Sequence, residues 1–535
     1  GAGRYGDDAR AEGEAVAEFL LSPHPAARIL AIDAEAAREA PGVLGVFTSE
    51  DLDADGVGDI PCLATRIAPL SRPGGAPAFA PGRPVLARGA VRFAGDALAA
   101  VVAESRAAAL DALELIAVDY EERAFATDPR EAAAKGAPRV WETGKDNLAY
   151  LFEAGDGAAV EAAIAEAAHV ARVEIPFTRL AMCPMEPRTA RGAVEDGRAI
   201  LTCGTQNPHI IRTALAEVLG CGEDALRIVT PDMGGAFGMR SNVFPEMVFV
   251  LWAARCLGRP VRWTGTRSAH FLTDDQGRDL TMSVELALDG EGRFTALRAR
   301  STAALGAYLS LFGPIPTFSN LGGLAGVYRT PAIRAEARAV YTNAPPIAPY
   351  RGAGRPEAIA CVELAIDRAA RDLGLDRVDL RRRNMIRPEE LPFRTGLTFT
   401  YDSGDFPRGM EQALELADQA GFGARRAEAA ARGRLRGLGV VNAIESSAGM
   451  LDEGVEVRIE PDGSALVLTG SVNHGQGHET MLAQVVAPAL GLDVARVRVA
   501  PNDTDHGPRG VGSFGSRTAA LAGSAALGAA EAAAE

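Results

Sequence analysis

The chain has 535 residues, with 55 Lys and Arg against 70 Asp and Glu and a formal charge of −15. At about 100–200 residues per domain there is room for about three or four domains with large buried cores, and 47% apolar with 23% charged residues is an ordinary globular composition. The acidic balance argues against a nucleic-acid partner, which needs a basic stripe to displace counterions from phosphates, and no apolar run approaches the roughly 20 residues that cross a bilayer.

The first residues lack the basic and apolar regions of a signal peptide. Cysteines at 62, 183, 203, 221, 256 and 361 stand singly without a CxxC pair. That argues against a zinc or iron–sulfur site held by this chain and fits a reducing compartment. A cytoplasmic location is expected, with a periplasmic one left open. Both ends look cut: the first residue is Gly1, and the last stretch stops inside an Ala-rich helical pattern.

Over residues 1–125 short β-like runs (91–93, 99–102) alternate with Ala-rich helical stretches such as 105–116. Residues 126–150 are rich in Pro, Gly and polar side chains and read as a connection. A mixed block occupies 150–390, 396–406 reads as irregular, and a second mixed block begins near Gly437. Apolar spacing predicts three helices. One follows Pro245 (Met247, Val250, Leu251, Ala254, Leu257), and another follows Pro356 (Ile359, Val362, Ile366, Ala369, Leu373) and stops at Gly374. The third carries Leu482, Val485, Val486, Ala489 and Leu490.

The two blocks repeat each other. Glu195-Asp196-Gly197 and then AILTCGTQN resembles Pro461-Asp462-Gly463 and then ALVLTGSVN. Each runs into a helix ending near LG (Gly220, Gly491) and then a strand ending at proline (Pro231, Pro501). A duplicated β–loop–α–β unit is expected.

Four glycine-rich loops each open a helix. Gly234-Gly235-Ala236-Phe237-Gly238 precedes the Pro245 helix, and Tyr350-Arg351-Gly352-Ala353-Gly354-Arg355 leads into Pro356. Gly475-Gln476-Gly477-His478-Glu479-Thr480 opens the Leu482 helix, and Gly510-Val511-Gly512-Ser513-Phe514-Gly515-Ser516-Arg517 opens the last one. Glycine admits positive φ and close backbone approach, and helix N-termini offer free N–H groups to anions. Four such junctions suggest a large anionic cofactor gripped from several sides. Gly510, Gly512 and Gly515 spell GxGxxG, but 501–509 separates them from the preceding strand and no second strand follows, which disfavours a nicotinamide or flavin dinucleotide. No GxxxxGK[ST] loop occurs. His474 and His478 flank glycines in a loop, where hydrogen bonding is a better use than metal ligation.

GGAFG (234–238), TQNPH (205–209), PYRGAGRPE (349–357), GQGHET (475–480) and the DTD…GSR run (503–517) come in the order seen in molybdenum hydroxylases. Together with GRYGDD (3–8), RFAGDALAAVVAES (92–105), VDYEE (118–122), PMEPR (184–188) and LGRPVRW (257–263), they make the chain resemble the large, molybdenum-binding subunit of the xanthine oxidase and aerobic carbon monoxide dehydrogenase family over essentially its whole length.

The resemblance implies a mixed α+β fold: an α/β hammerhead-like domain over 1–125, a connection over 126–150, a molybdopterin-binding domain over 151–395 and a second, partial one over 407–535. It implies molybdopterin, as the cytosine dinucleotide in bacterial three-subunit enzymes, with molybdenum held by the pterin dithiolene and by no protein side chain. It also implies iron–sulfur and FAD partner subunits, a dimer of heterotrimers, and hydroxylation of a small molecule with water-derived oxygen.

By motif, Gln206, Phe237, Arg351 and Gly352 resemble residues beside the metal. Gly235, Phe237, Gly238, Arg351, Gly475, Gln476, Gly477, Thr480, Ser513, Gly515, Ser516 and Arg517 resemble cofactor contacts, and Glu186 is read as bracing its own turn. Three departures matter. Gly352 stands where carbon monoxide dehydrogenases carry a copper-binding cysteine, and Ser241 stands near the place of a purine-orienting glutamate. These leave an aldehyde or N-heteroaromatic substrate. The glycine-rich turn that carries the catalytic glutamate does not follow Gly515, so this chain alone is expected to be inactive. Either a further segment or another chain supplies that residue, or the protein is a non-catalytic molybdopterin scaffold or carrier.

Overall fold

Strands from distant stretches of sequence make the central sheet. In the computed structural model, which describes residues 3–68, 70–318, 321–447, 450 and 452–535, eight strands lie side by side. Their order is Asn502–Asp503, Leu226–Thr230, Arg198–Cys203, Thr189–Glu195, Val261–Thr264, Ala15–Leu21, Ala97–Ala103 and Val43–Phe47. The strand Ala97–Ala103 is a run of small apolar residues, and from Leu98 to Ala103 all are buried, as expected of an interior strand covered on both faces. The N-terminal region therefore shares a sheet with the first mixed block, since Ala15 and Val16 pair in parallel with Val261 and Arg262. A second, five-stranded sheet runs Leu148–Gly155, Ala332–Val340, Phe294–Ala304, Gly277–Leu288 and His169–Leu180. The fold is mixed α/β, as expected.

The three predicted helices form at Pro245–Leu257, Arg355–Leu373 and His478–Leu490, each ended by a left-handed glycine (Gly258, Gly374, Gly491). Pro245–Leu257 is buried on all sides as far as Ala254. It crosses the strand Thr189–Glu195 at Gly192, where a Cβ would lie 2.2 Å from the Val250 carbonyl oxygen. The stretch 396–406 expected to be irregular contributes Thr400–Tyr401 to a short hairpin with Phe393–Arg394.

The duplication is visible in the strand registers. In copy one, Thr189–Glu195 pairs antiparallel with Arg198–Cys203, the helix Pro208–Val218 follows, and Leu226–Thr230 returns parallel to Arg198–Cys203. In copy two, Val455–Ile459 pairs antiparallel with Ala465–Thr469, the helix His478–Leu490 follows, and Val497–Val499 returns parallel to Ala465–Thr469. The correspondence runs further than the predicted unit. Each return strand leads to a Gly-x-Phe-Gly-x-Arg turn (235–240 and 512–517) and then to a helix, Pro245–Leu257 or Thr518–Ala534. Those helices pack on the first strands of their own copies.

Between its return strand and its turn, copy two carries the extra segment 501–509, which straps it to copy one. Asn502–Asp503 forms the end strand of the eight-stranded sheet. Arg227 donates to Asp503 at 2.6 Å, and Arg198 holds Asp505 in a fork at 2.6 and 3.0 Å.

Candidate functional site

Copy one leaves its strand at Cys203 and passes Thr205, Gln206 and Asn207, all buried, into the helix Pro208–Val218. Burial pushes the Cys203 thiol up to about 12, which leaves it unreactive. Gln206 ties two glycine loops together. Its Nε2 donates to the Ser513 carbonyl at 2.8 Å, and its Oε1 accepts from the Gly238 N–H at 2.9 Å. Its main chain accepts from Ser513 N at 2.9 Å and donates to the Arg240 carbonyl at 3.0 Å.

The loop 234–238 is bent by positive φ at Gly235 (102°), Phe237 (57°) and Gly238 (115°). A Cβ on Gly238 would lie 1.8 Å from the Pro349 carbonyl oxygen, so only glycine lets this loop meet the next one. Glu186, expected to brace its own turn, braces this loop instead: its Oε2 accepts from Gly234 N at 2.9 Å and pairs with Arg240 Nη1 at 2.6 Å. Burial pulls the Arg240 guanidinium below its ordinary value, with Glu186 opposing. The Phe237 side chain is exposed, and its N–H donates to none of the described residues. The third loop docks on this one, Arg351 N donating to the Phe237 carbonyl at 3.0 Å while the exposed Arg351 guanidinium sits 5.9 Å from the Phe237 ring centroid.

The fourth loop reaches the others by packing, Val472 clustering with Met233 and Ala236. Beyond it Asn473 Oδ1 accepts from the N–H groups of Gly475, Gln476 and Gly477 at 3.1, 3.0 and 3.2 Å. These three main-chain donors are spent on Asn473, which fixes the shape of the loop from within. A Cβ at Gly475 or Gly477 would meet no atom within 4 Å, so bare backbone faces open space there. That open backbone leaves room for a bulky group such as molybdopterin. Gln476 and Thr480 are exposed beside it.

In the last loop Gly512 approaches copy one so closely that a Cβ would lie 2.4 Å from the Gln206 carbonyl oxygen. Gly515 and Ser516 are exposed with φ of 56° and 57°. Two expectations are corrected here. The Arg517 guanidinium is fully buried and all five of its donor positions are taken, by Glu453 and by the carbonyls of Met450, Asp452 and Gly512. It braces the turn and has no donor left for a phosphate. Ser513 is likewise buried, its hydroxyl 3.1 Å from that of Thr518 and its main chain bound to Gln206.

The predicted residues thus fall into two groups. Phe237, Arg351, Gly475, Gln476, Thr480, Gly515 and Ser516 are exposed. Gln206, Gly235, Ser513 and Arg517 are buried and frame them, and Gly238, Gly352 and Gly477 lie between. Sequence reasoning missed the matched buried pairs Glu186–Arg240 and Glu453–Arg517. The signal for them was the recurrence of Gly-x-Phe-Gly-x-Arg. Among the described residues no three His, Cys, Asp or Glu side chains are grouped to hold a metal ion. An apolar cavity of about 420 Å³ lies elsewhere, lined by residues of the Phe406–Leu416 helix and 438–443.

The chain matches the family model of the aldehyde oxidase and xanthine dehydrogenase a/b hammerhead domain over residues 1–124, and models of the molybdopterin cofactor-binding domain over 140–385 and 412–535. It is 33% identical to the carbon monoxide dehydrogenase large chain of Hydrogenophaga pseudoflava, the match covering 98% of this chain and 67% of that one. It is 31% identical to the nicotine 6-hydroxylase large subunit of Paenarthrobacter nicotinovorans, over 98% of this chain and 64% of that one. Among solved structures, quinoline 2-oxidoreductase from Pseudomonas putida 86 superposes with a TM-score of 0.92 at 34% identity, covering 99% of this chain and 68% of that one. The chain therefore belongs to the family of molybdopterin-binding large subunits of carbon monoxide dehydrogenase and xanthine dehydrogenase, and it spans about two thirds of the length of the relatives it matches.

Proposed function

We propose that this chain is the molybdopterin-holding part of a hydroxylase that adds water-derived oxygen to an aldehyde or an N-heteroaromatic ring, with electrons leaving through iron–sulfur and FAD partner subunits. The carrying observation is the meeting of four glycine loops, three from the two structural copies and one, 350–355, from the segment between them; three are joined by hydrogen bonds and the fourth by the packing of Val472. Molybdopterin, when bound, supplies the metal-centred oxygen delivery and takes up two electrons.

This chain's own part is to bind, orient and shield. Gln206 Nε2 carries two hydrogens and gives one to Ser513; the other, with the Phe237 N–H, would be available to an acceptor atom of the bound cofactor. Gly475, Gln476, Gly477, Thr480, Gly515 and Ser516 would hold the cofactor, with the cytosine dinucleotide as the form assigned. Within residues 1–535 no side chain is assigned as the proton acceptor. Gly352 offers no sulfur to a copper ion, which favours an organic substrate over carbon monoxide, and the likeness to nicotine 6-hydroxylase and quinoline 2-oxidoreductase favours a ring nitrogen beside the oxidised carbon. A heterotrimer, doubled, in the cytoplasm completes the proposal.

The test uses the purified complete complex. Molybdenum and acid-released cytidine monophosphate should be present in equal amounts, and quinoline-like heterocycles or aromatic aldehydes should reduce a dye. A complex containing molybdenum that oxidises none of them refutes the substrate assignment, and one without molybdenum refutes the function.

A further inference from the structure

Arg278 and Asp279 are consecutive non-glycine residues with φ of 66° and 64° at the start of the strand Gly277–Leu288. Left-handed backbone at two L-residues in a row is strained and persists only where the surroundings over-determine it. Here they do. Arg278 Nη1 donates to the Tyr350 carbonyl at 3.1 Å and to both oxygens of Glu357 at 3.1 and 3.0 Å, and Nη2 donates to the Arg351 carbonyl at 2.8 Å. The guanidinium also lies over the Tyr350 ring, 4.7 Å from its centroid. Asp279 pairs with Arg179, whose Nη1 donates to the Pro345 carbonyl at 2.7 Å. Gln276 N donates to Pro346 O and Ala348 N to Gln276 O, both at 2.8 Å. The strained pair and its neighbours therefore grip 345–351 at both ends and in the middle.

We propose that Arg278 is a positioning residue that sets which way the 351–352 peptide points and thereby presents the Gly352 N–H to the ligand; the inference rests on the reading of 350–352 as a ligand-facing loop. In a trans peptide the carbonyl and the next N–H point in opposite directions. With the Arg351 carbonyl turned to Arg278, the Gly352 N–H faces away from it, and that N–H donates to none of the described residues. Gly352 itself has φ of 96°, a conformation that leaves glycine free to flip if the carbonyl were released. Glu357 is 1% exposed, so the guanidinium is held in place by a carboxylate with little competition from water. Only a planar fork can serve two carbonyls and a carboxylate together; a lysine ammonium is a point charge on a flexible stem.

The test is Arg278→Lys in the complete, molybdenum-loaded complex. Melting temperature and molybdenum content should stay close to wild type while the molybdenum(V) electron paramagnetic resonance spectrum changes. Turnover per bound molybdenum should fall by about 10²-fold, with KM little altered, as for a misplaced reacting group. An unchanged spectrum with unchanged turnover overturns the proposal. Should Arg278→Lys fail to give folded complex, Glu357→Gln loosens the same guanidinium while keeping its volume, and it must alter the spectrum in the same sense; an unaltered spectrum there again overturns it. A wild-type complex without molybdenum sinks the functional reading, and this inference with it, whereas an indifferent loaded variant sinks the inference alone.

Discussion

Copy one and copy two share strands, helices, a glycine turn and a buried Glu–Arg brace, yet they present different faces. In copy one the stretch between strand and helix is buried, and Gln206 spans from it to the turn of copy two. In copy two the position matching Gln206 is Val472, which packs against the turn of copy one, while the next residues expose bare backbone around Gly475 and Gly477. Each copy thus reaches across to the other's turn, once with an amide and once with a methyl pair. The shared parts build a rigid frame, and the chemistry lies where the copies have diverged: a polar wall on one side, open glycine backbone on the other.

The comparison can be broken at the braces first. Arg517→Met leaves Glu453, 1% exposed, buried without its cation and should cost about 3–5 kcal/mol. Arg240→Met should fall at the lower end of that range, because Glu186 is 11% exposed and keeps its bond from Gly234. Urea unfolding of the complex measures both, and equal losses would show the braces to be interchangeable.

Next come the matched glycines, Gly512 and Gly235, with φ of 103° and 102°. A Cβ on Gly512 would meet backbone at 2.4 Å, so Gly512→Ala should cost about 3 kcal/mol from overpacking and strain. Gly235 faces only side chains, at 3.0 Å and beyond, and Gly235→Ala should cost nearer 1 kcal/mol. Thermal melts that reverse this order would contradict the close approach of the two copies at Gly512.

Exchanging the crossing residues sharpens the picture further. Val472→Gln buries an amide among Met233 and Ala236, and Gln206→Leu strands the Ser513 carbonyl and the Gly238 N–H. Each should cost about 1–3 kcal/mol, but only Gln206→Leu should lower molybdenum content.

A last test concerns a buried carboxyl just ahead of the strand Gly277–Leu288, outside both copies. Burial raises the Asp275 carboxyl to about 7, against the attraction of Arg83 and Arg188 and with repulsion from Asp274 and Glu246. Its folded value lies above its unfolded one, so the folded state binds more proton between about pH 4 and 7, and stability falls as pH rises through that window. Asp275→Asn should flatten that decline, which melting curves from pH 4 to 8 would reveal.

Much of this was legible in the residues. The Asp-Gly turns at 196–197 and 462–463, with prolines closing the return strands, marked the duplicated unit because local turn chemistry and apolar spacing are sequence-near signals. The Gly-x-Phe-Gly-x-Arg recurrence escaped because 501–509 lies between strand and turn in copy two alone and shifts the spacing. Arg517 looked like an anion contact because its partner, Glu453, is 64 residues away. The role of Arg278 was invisible for the same reason, its partners lying 72 to 79 residues downstream. Long-range pairing of charges leaves no mark on local pattern.

The strap has a bearing on biosynthesis. Arg227 and Asp503 are 276 residues apart in sequence, so at about 5–20 residues per second roughly 14–55 s separate their emergence from the ribosome. For that interval the edge of Leu226–Thr230 stands uncapped, an invitation to mispairing that chaperones would have to guard. Molybdopterin loading must wait until the late-made strand has arrived, because only then do Ser513 and Gln206 meet.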